Sequence, residues 1–240
     1  MPELAIAELL SNERFPRDRS RLGTAFAVSK YLAITAYHCL KGEDGGPMRR
    51  NVMLSWMGGP LISNAEFVSG DEILDYALLE IRPRIMDAYD LRPLHVSRRW
   101  LPDNFECKIE GFPKSLRTVA PFHRAFGNVY KHDSNFSAGT PAVQLRCQEV
   151  GDGFDISGMS GAPVIVGSDL ALGLILASPS VPGDRNSVMP GGIVFACSIA
   201  VIAEQRPLFF RDVEYYRWGA SGPLERGLDI MNIGNPWWRD

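Results

Sequence analysis

From residue 22 onward the chain alternates short apolar, β-branched segments with turn residues, and this pattern constrains the fold more than any other feature. A first group of segments occupies residues 23–29, 31–38, 51–57, 65–70 and 76–81. A second group occupies residues 106–112, 124–130, 142–148, 162–168, 171–178 and 191–197. Many short strands at regular spacing indicate an all-β sandwich or barrel.

A stretch rich in Pro and Arg, near residues 82–103, separates the two groups and predicts two small barrels packed side by side. We therefore divide the chain into an N-terminal extension with the first barrel (1–97), a second barrel with a C-terminal helix (98–205), and a tail packed on the barrels (206–240). The segment "SIAVIAEQ" predicts that helix. The spacing of "ELAIAELL" near the N-terminus predicts a further short amphipathic helix.

Composition and charge argue against several classes of protein. Hydrophobic residues make up 45% of the 240 and charged residues 22%, as in a globular protein with a sizeable core. The net charge is −3, and the basic pairs Arg49-Arg50 and Arg98-Arg99 are isolated, so no nucleic-acid partner is expected. No apolar run is long enough to cross a membrane, and the N-terminus lacks the pattern of a signal peptide. A cytoplasmic location without membrane contact is therefore expected.

The cysteines do not form a metal-binding pattern. They are scattered along the chain without a CxxC pair, at Cys39, Cys107, Cys147 and Cys197. A structural zinc site is therefore not expected, and in a reducing compartment the thiols would be free. We expect neither a metal nor an organic cofactor.

The stretch "ISGMSGAPVIV", residues 156–166, sets Ser160 among glycines and raises the question of a nucleophile. A serine hydroxyl needs a neighbouring base, an acid that orients this base, and N–H groups that stabilise the developing oxyanion. All the histidines precede Ser160, namely His38, His95, His123 and His132. This order excludes the α/β-hydrolases, in which the histidine follows the serine, and leaves the order histidine, acid, serine.

His38 and Asp75 are the best candidates for base and acid. His38 ends a predicted strand, and the small residues Thr35 and Ala36 just before it leave room around its ring. Asp75 immediately precedes a strand that buries alternate side chains and would anchor it, although an aspartate there can also be a simple strand cap. The competing acids Asp71, Asp87 and Asp90 have no such anchor.

Three motifs in order, "GTAFAVSKYLAITAYHCL", "DYALLEI" and "GMSGAPVI", resemble the trypsin-like (chymotrypsin-fold) serine peptidases. The resemblance covers about residues 20–205 and implies two six-stranded β-barrels with the active site between them. It implies that Ser160 is the nucleophile, His38 the general base and Asp75 the orienting acid. It assigns the oxyanion hole to the backbone N–H groups of Gly158 and Ser160.

Two departures from this pattern set the chain apart from secreted members. Cys39 occupies a position that those members bridge to a cysteine in the preceding strand, and here that strand has none. Met159 stands where they carry the aspartate that pairs with a new N-terminus after zymogen cleavage. The chain therefore resembles intracellular bacterial members, including HtrA-type peptidases. For these the resemblance implies conformational control or an activating partner protein.

The resemblance also places a pocket for the side chain that precedes the scissile bond. Its floor would be Phe154, six positions before the serine, and its walls would come from Leu176, Ala177, Ser178 and Gly192. Phe154 favours a small or apolar side chain. A shift of one residue would put Asp155 at the floor and favour Arg or Lys, and Asp152 is also near.

The sequence thus predicts a serine endopeptidase that hydrolyses peptide bonds of a protein or peptide substrate through an acyl-enzyme. Two alternatives remain open. One is a protease that cleaves a single partner in a bacterial defence or regulatory system. The other is a non-catalytic scaffold of the same fold that binds peptides.

Overall fold

The structure of the protein is a computed structural model. It describes residues 3–12, 20–41, 47–56, 61–82, 91–97, 104–116, 122–136, 140–151, 154–177, 180–181, 184–188, 192–211, 213 and 215–216. Within these residues strands dominate, and the helical segments are short.

The first barrel is a closed ring of six strands. After the short strand β1 (Glu3–Leu4), the ring begins with β2 (Ile6–Ser11), β3 (Arg21–Ala27), β4 (Leu32–Thr35) and β5 (Asn51–Trp56). A long hairpin of β6 (Ile62–Asp71) and β7 (Tyr76–Arg82) completes it, and the strands lie in the order β2-β3-β4-β7-β6-β5. Every neighbouring pair in the ring is antiparallel, while β1 lies outside it and pairs with β8 (Leu91–Arg92). Closure leaves the barrel without an exposed strand edge.

The helix predicted near the N-terminus is wrong, because this segment forms β2 and completes the first barrel. All six residues of Ile6–Ser11 are buried, and β2 pairs with β3 on one side and with β5 on the other. A short apolar run that is buried on both faces has no clear period, so its sequence does not distinguish a strand from a helix. The strand forms because it satisfies its backbone groups on two neighbouring strands.

The second barrel contains all six strands predicted for it. In chain order they are β10 (Glu106–Gly111), β11 (His123–Phe136), β12 (Thr140–Cys147), β13 (Pro163–Val166), β14 (Leu170–Ala177) and β17 (Ile193–Ser198). The ring runs β13-β10-β11-β12-β17-β14 and closes through the pairing of β13 with β14. The prediction of an all-β chain with two six-stranded barrels is thus confirmed.

Several shorter elements pair with the strands of the second barrel or follow them in the chain. The strand β9 (His95–Ser97) pairs in parallel with β14, and β18 (Tyr215–Tyr216) pairs in parallel with β9. A short helix α1 (Gln148–Gly151) follows β12, and a hairpin joins β15 (Ser180–Val181) to β16 (Asp184–Val188).

The predicted C-terminal helix is present as α2 (Ile199–Gln205). The Ser198 hydroxyl caps its first turn by accepting a hydrogen bond from the Ala200 N–H group. The helix is followed by a 3-10 helix, Pro207–Phe210. No helix in the described ranges is long and apolar enough to cross a membrane.

The buried apolar side chains form two clusters, and the larger of them extends from the first barrel into the second. The larger cluster of buried apolar side chains fills the first barrel and also includes Phe112 and Leu174 of the second, together with Phe210 beyond α2. A smaller cluster fills the second barrel and includes Met159 and Val164. The loop that carries Ser160 therefore packs into the interior of the second barrel through Met159.

Candidate active site

His38 and Asp75 form a hydrogen-bonded pair at one end of the first barrel. His38 lies on a 3-10 helix, Tyr37–Leu40, that directly follows β4. Its Nδ1 atom is 2.7 Å from Asp75 Oδ2, and its backbone N–H group donates to Asp75 Oδ1 at 2.9 Å. The carboxylate thus contacts both the ring and the main chain of His38, which fixes the ring with Nε2 facing away from the acid.

The turn between β6 and β7 presents Asp75 to the histidine. Asp71 Oδ1 accepts hydrogen bonds from the N–H groups of Ile73 and Leu74, so this competing acid serves as a turn cap. Asp75 has a φ of +57°, in the left-handed region that aspartate tolerates better than most residues. The other competitors, Asp87 and Asp90, lie outside the described residues.

The pKa of His38 is raised above its ordinary value of 6.5. Partial burial opposes the charged ring and lowers the pKa, but the hydrogen bond to Asp75 and the neighbouring Cys39 thiol outweigh this effect. The imidazole side chain is nevertheless 47% exposed, whereas that of Asp75 is 16% exposed. The ring is therefore accessible from the solvent side, while its partner is largely covered.

Ser160 is brought to the same region by the loop between α1 and β13. Its carbonyl accepts a hydrogen bond from Thr24 N at 2.8 Å, and the Cys39 Sγ atom is 3.7 Å from the same oxygen. Since Cys39 directly follows His38, the two candidates lie on neighbouring segments. The Ser160 hydroxyl donates to the Leu176 carbonyl at 3.2 Å. Among the described residues it forms no hydrogen bond with His38.

The N–H groups of Gly158 and Ser160 are oriented by the carbonyls of the residues before them. Ser157 O accepts from Lys114 N at 2.6 Å, and Met159 O accepts from Ala162 N at 2.8 Å. Because the N–H group of a trans peptide points opposite to its carbonyl, these bonds direct both N–H groups away from their anchors. Within the described ranges neither N–H group donates to a protein acceptor, so both are available to a developing oxyanion.

The two residues considered for the pocket floor have different environments. Phe154 is half-buried against the core of the second barrel, and its ring stacks on His123 with a centroid separation of 4.4 Å. Asp155 is exposed, and its Oδ1 atom accepts a hydrogen bond from Ser157 N at 2.8 Å. The Asp155 carboxylate thus caps a turn at the surface. Asp152 lies outside the described residues.

The residues considered for the pocket walls are partly described. Leu176 is fully buried in β14, and its carbonyl is the acceptor of the Ser160 hydroxyl. Ala177 ends β14 opposite Phe195, and Ser178 lies outside the described residues. Gly192 has a φ of +65°, and its carbonyl accepts from Cys147 N at 2.7 Å.

The remaining described histidines and the cysteines have other surroundings. The Nδ1 atom of His95, on β9, is 3.3 Å from the buried carboxylate of Asp169. His132 lies on β11, where its side chain is not described. All the cysteines are free and buried, including Cys39. Among the described residues no three His, Cys, Asp or Glu side chains are grouped so as to hold a metal ion.

Sequence reasoning missed a set of polar residues of the first barrel at its junction with the second, of which Thr24 contacts the Ser160 loop and Arg21 contacts Phe112 and Pro113. They are Glu8, Arg21 and Thr24, and all are buried. One signal was present in the sequence. Glu8 is an acid inside an otherwise apolar run, and a buried carboxylate requires a hydrogen-bonded or charged partner.

The chain was compared with known proteins. No protein-family profile matches it, and neither does any curated protein sequence. Solved structures do match. The active form of the Rv3671c protease from M. tuberculosis superimposes with a TM-score of 0.60 at 17% identity, over 86% of this chain and 81% of that one.

Two further matches come from other serine proteases. The HtrA-type protease AlgW, solved with a decapeptide, gives a TM-score of 0.63 at 18% identity. The serine endoprotease from Yersinia pestis gives 0.57 at 18%. The matches cover 85% and 87% of this chain but only 64% and 63% of those proteins. At such low identity the likeness is one of fold, and the chain has the chymotrypsin-like fold of these serine proteases.

Proposed function

We propose that this protein is a trypsin-like serine endopeptidase in which Ser160 is the nucleophile, His38 the general base and Asp75 the orienting acid. The observation that carries the proposal is the double contact between Asp75 and His38, at 2.7 Å to the ring and 2.9 Å to the backbone N–H group. An aspartate that only capped the start of a strand would need only one of these contacts. An acid that holds one tautomer of a catalytic histidine needs the contact to Nδ1.

In the proposed reaction the Ser160 hydroxyl first turns from the Leu176 carbonyl toward His38 Nε2. This is a rotation about a single side-chain bond between staggered positions. His38 then takes the hydroxyl proton as Ser160 Oγ forms a bond to the carbonyl carbon of the scissile peptide. The proton stays on His38 until it is passed to the leaving amine, and the peptide C–N bond breaks to give an acyl-enzyme.

The N–H groups of Gly158 and Ser160 would stabilise the charge that develops during the reaction. The negative charge on the tetrahedral oxygen would be met by two donors that have no acceptor among the described residues. One such donor contributes about 3 kcal/mol to a serine protease transition state. His38 then accepts a proton from a water molecule as this water attacks the acyl-enzyme. It returns the proton to Ser160 Oγ as the product acid is released.

For the residue before the scissile bond we propose a small or apolar side chain. The Phe154 ring, stacked on His123, offers an apolar surface on the second barrel. The rival preference for Arg or Lys needs a carboxylate in the pocket, and the Asp155 side chain is exposed and bonded to Ser157 N instead. Leu176, Ala177, Ser178 and Gly192 remain the proposed walls.

We further propose that the protein works in the cytoplasm on protein or peptide substrates. The free thiols of all its cysteines, Cys39 included, support a reducing compartment. The decapeptide with which AlgW was solved supports a peptide as the ligand. The proposal requires an activating partner protein only if the isolated chain is inactive.

One observation favours a second candidate, the non-catalytic peptide-binding scaffold. The Ser160 hydroxyl donates to Leu176 O, and the His38 ring is hydrogen-bonded to Asp75 rather than to Ser160. A scaffold would keep this arrangement when a peptide binds. A protease limited to one partner would instead label readily with an active-site probe and cleave few proteins in a proteome digest.

Labelling with a fluorophosphonate probe, which reacts only with an activated serine, tests the proposal. We expect wild type to label and Ser160→Ala and His38→Ala to fail, since losing nucleophile or base costs on the order of a million-fold in turnover. Ser157→Ala, in the same loop, is the control and should label. Absence of labelling in folded wild type, with or without cell lysate, would contradict the peptidase and favour the scaffold.

A further inference from the structure

The loop that carries Gly158 and Ser160 is held by the first barrel, although Ser160 itself belongs to the second. Thr24 on β3 makes three contacts at this junction. Its N–H group donates to Ser160 O at 2.8 Å, and its hydroxyl donates to Gly158 O at 3.1 Å. The same hydroxyl accepts from Phe112 N, also at 3.1 Å. One fully buried side chain thus connects three segments of the chain.

A buried ion pair holds the adjacent segment. The guanidinium of Arg21, also on β3, pairs with Glu8 on β2, and their side chains are 4% and 12% exposed. Arg21 Nη1 donates across the barrel junction to Pro113 O at 2.7 Å and is 3.4 Å from Phe112 O. Breaking such a pair by removing one partner would leave an uncompensated buried charge.

The segment that Arg21 holds is the one that orients the first candidate donor. Lys114 follows Pro113 directly, and its N–H group binds Ser157 O at 2.6 Å. That bond turns the Gly158 N–H group away from Lys114 because the peptide is planar. A series of contacts therefore leads from the Glu8–Arg21 pair through the 112–114 segment to the Gly158 N–H group. Thr24 separately fixes the carbonyls of Gly158 and Ser160.

There is little room for this loop to shift. A Cβ atom on Gly158 would come within 2.8 Å of Phe112 O, and one on Gly161 within 2.1 Å of Thr24 O. Both glycines also have positive φ, +91° and +84°, which other residues rarely adopt. At Gly161 the backbones of the two barrels thus approach each other more closely than a side chain would permit, and at Gly158 the loop is likewise close to the 112–114 segment of its own barrel.

We propose that Thr24 and the Glu8–Arg21 pair are positioning residues that keep the oxyanion-binding loop formed, in place of the aspartate that Met159 replaces. Met159 is fully buried among apolar side chains and cannot pair with an N-terminal amine. The ordering contacts come instead from strands that are part of the folded first barrel. This inference rests on the proposed peptidase function, and it implies that the loop is formed in the purified chain without cleavage or a partner.

The test compares Thr24→Val, which removes the hydroxyl and keeps the shape, with Thr24→Ser, which keeps the hydroxyl. The probe is a fluorophosphonate, because the phosphorus–oxygen dipole develops charge in the same hole. We expect the labelling rate constant at saturating probe to fall by about tenfold or more in Thr24→Val. Complete loss of one oxyanion donor lowers a rate constant by about 10²–10³, and a displaced donor should cause part of that loss. Thr24→Ser should stay within about threefold of wild type.

Ser63→Ala is the matched control for stability. Ser63 is a buried residue of the first barrel whose hydroxyl accepts from Trp56 Nε1 at 2.9 Å, and among the described residues it has no hydrogen bond to the Ser160 loop. This variant should lower the unfolding temperature and leave the labelling rate unchanged. Equal slowing in Ser63→Ala and Thr24→Val would show that the effect is general destabilisation and would overturn the inference.

A second measurement does not depend on activity. Amide hydrogen exchange of the 154–162 segment reports whether the loop is ordered. We expect faster exchange there in Thr24→Val and in the paired variant Glu8→Leu/Arg21→Met, which removes both charges together. Unchanged exchange in both variants would overturn the inference. Unlabelled wild type with a protected loop would instead contradict only the peptidase function.

Discussion

At the scale of single residues, the candidate site is defined by which partner each polar atom has. Asp75 uses both carboxylate oxygens on His38, one on the ring and one on the main chain. The acid is therefore committed to one partner, and the ring orientation follows from it. The Ser160 hydroxyl, by contrast, rests on a carbonyl that it can leave by a single rotation.

The raised pKa of His38 has a consequence for the pH dependence of activity. A general base must be neutral to accept a proton, and a raised pKa keeps His38 charged to higher pH. We therefore expect kcat/KM to increase with pH as His38 loses its proton, with the ascending limb alkaline of 6.5. An ascending limb below 6.5 would show that the carboxylate does not stabilise the charged ring.

Asp75→Asn tests the same contact from the other side. The amide cannot stabilise imidazolium as a carboxylate does and favours the wrong tautomer, so kcat should fall by about 10⁴. The ascending limb should also move to lower pH, because the group that raises the pKa of His38 is gone. Initial rates across a pH series measure both effects. Asp71→Asn, in the same turn, serves as the control and should change stability more than the pH profile.

The triad candidates could be predicted from sequence, whereas the residues that support them could not. His38, Asp75 and Ser160 each lie in a short motif whose chemistry is local. The contact of Thr24 with Gly158 joins residues 134 positions apart, and nothing in either segment specifies the other. Such a contact follows from the closure and docking of two barrels, and strand patterns alone do not determine that docking.

At the scale of elements, helix α2 connects the second barrel to the hairpin that carries Asp75. Arg206, just after the helix, donates from Nε to Ser69 Oγ at 3.0 Å and is 3.4 Å from Gly70 O through Nη2. Gln205 accepts a hydrogen bond from the Tyr76 hydroxyl at 3.1 Å. The helix thus contacts β6 and β7 on both sides of the turn that presents the acid.

Replacing Arg206 with Met should weaken this connection. The two hydrogen bonds to the hairpin are lost while the apolar stem is kept, so we expect the free energy of unfolding to fall by about 1–2 kcal/mol. Because the hairpin of Asp75 is loosened, kcat should decrease more than KM increases. Urea unfolding and initial rates measure the two effects. The exposed Arg211→Met is the control, and equal losses in both variants would show that the Ser69 and Gly70 contacts contribute nothing.

Strand prediction was most successful where short apolar segments alternate repeatedly with turn residues. Every strand of the second barrel was predicted, because each is bounded by turn residues. The strand β2 was mistaken for a helix because full burial removes the alternation that identifies a strand. The hairpin of β15 and β16 was not predicted, since its polar sequence "DRNSV" resembles a loop.

At the scale of the whole molecule, the chain after α2 closes the core of the first barrel. Phe210 is fully buried within the larger core cluster, and Val213 is buried there as well. The 3-10 helix that carries Phe210 also presents Phe209, which is 38% exposed. Because the larger core cluster extends from the first barrel into the second and into this segment, we expect the described structure to unfold as a single cooperative unit.

Phe210→Ala and Phe209→Ala form a matched pair that tests this view. Truncating the buried ring leaves a cavity in the shared core and should lower the free energy of unfolding by about 3–5 kcal/mol. Truncating the exposed neighbour should change it by less than about 1 kcal/mol. Urea unfolding followed by tryptophan fluorescence and by circular dichroism should give coincident transitions for wild type and both variants. Separate transitions, or a small loss in Phe210→Ala, would show that the two barrels are stabilised independently of the segment after α2.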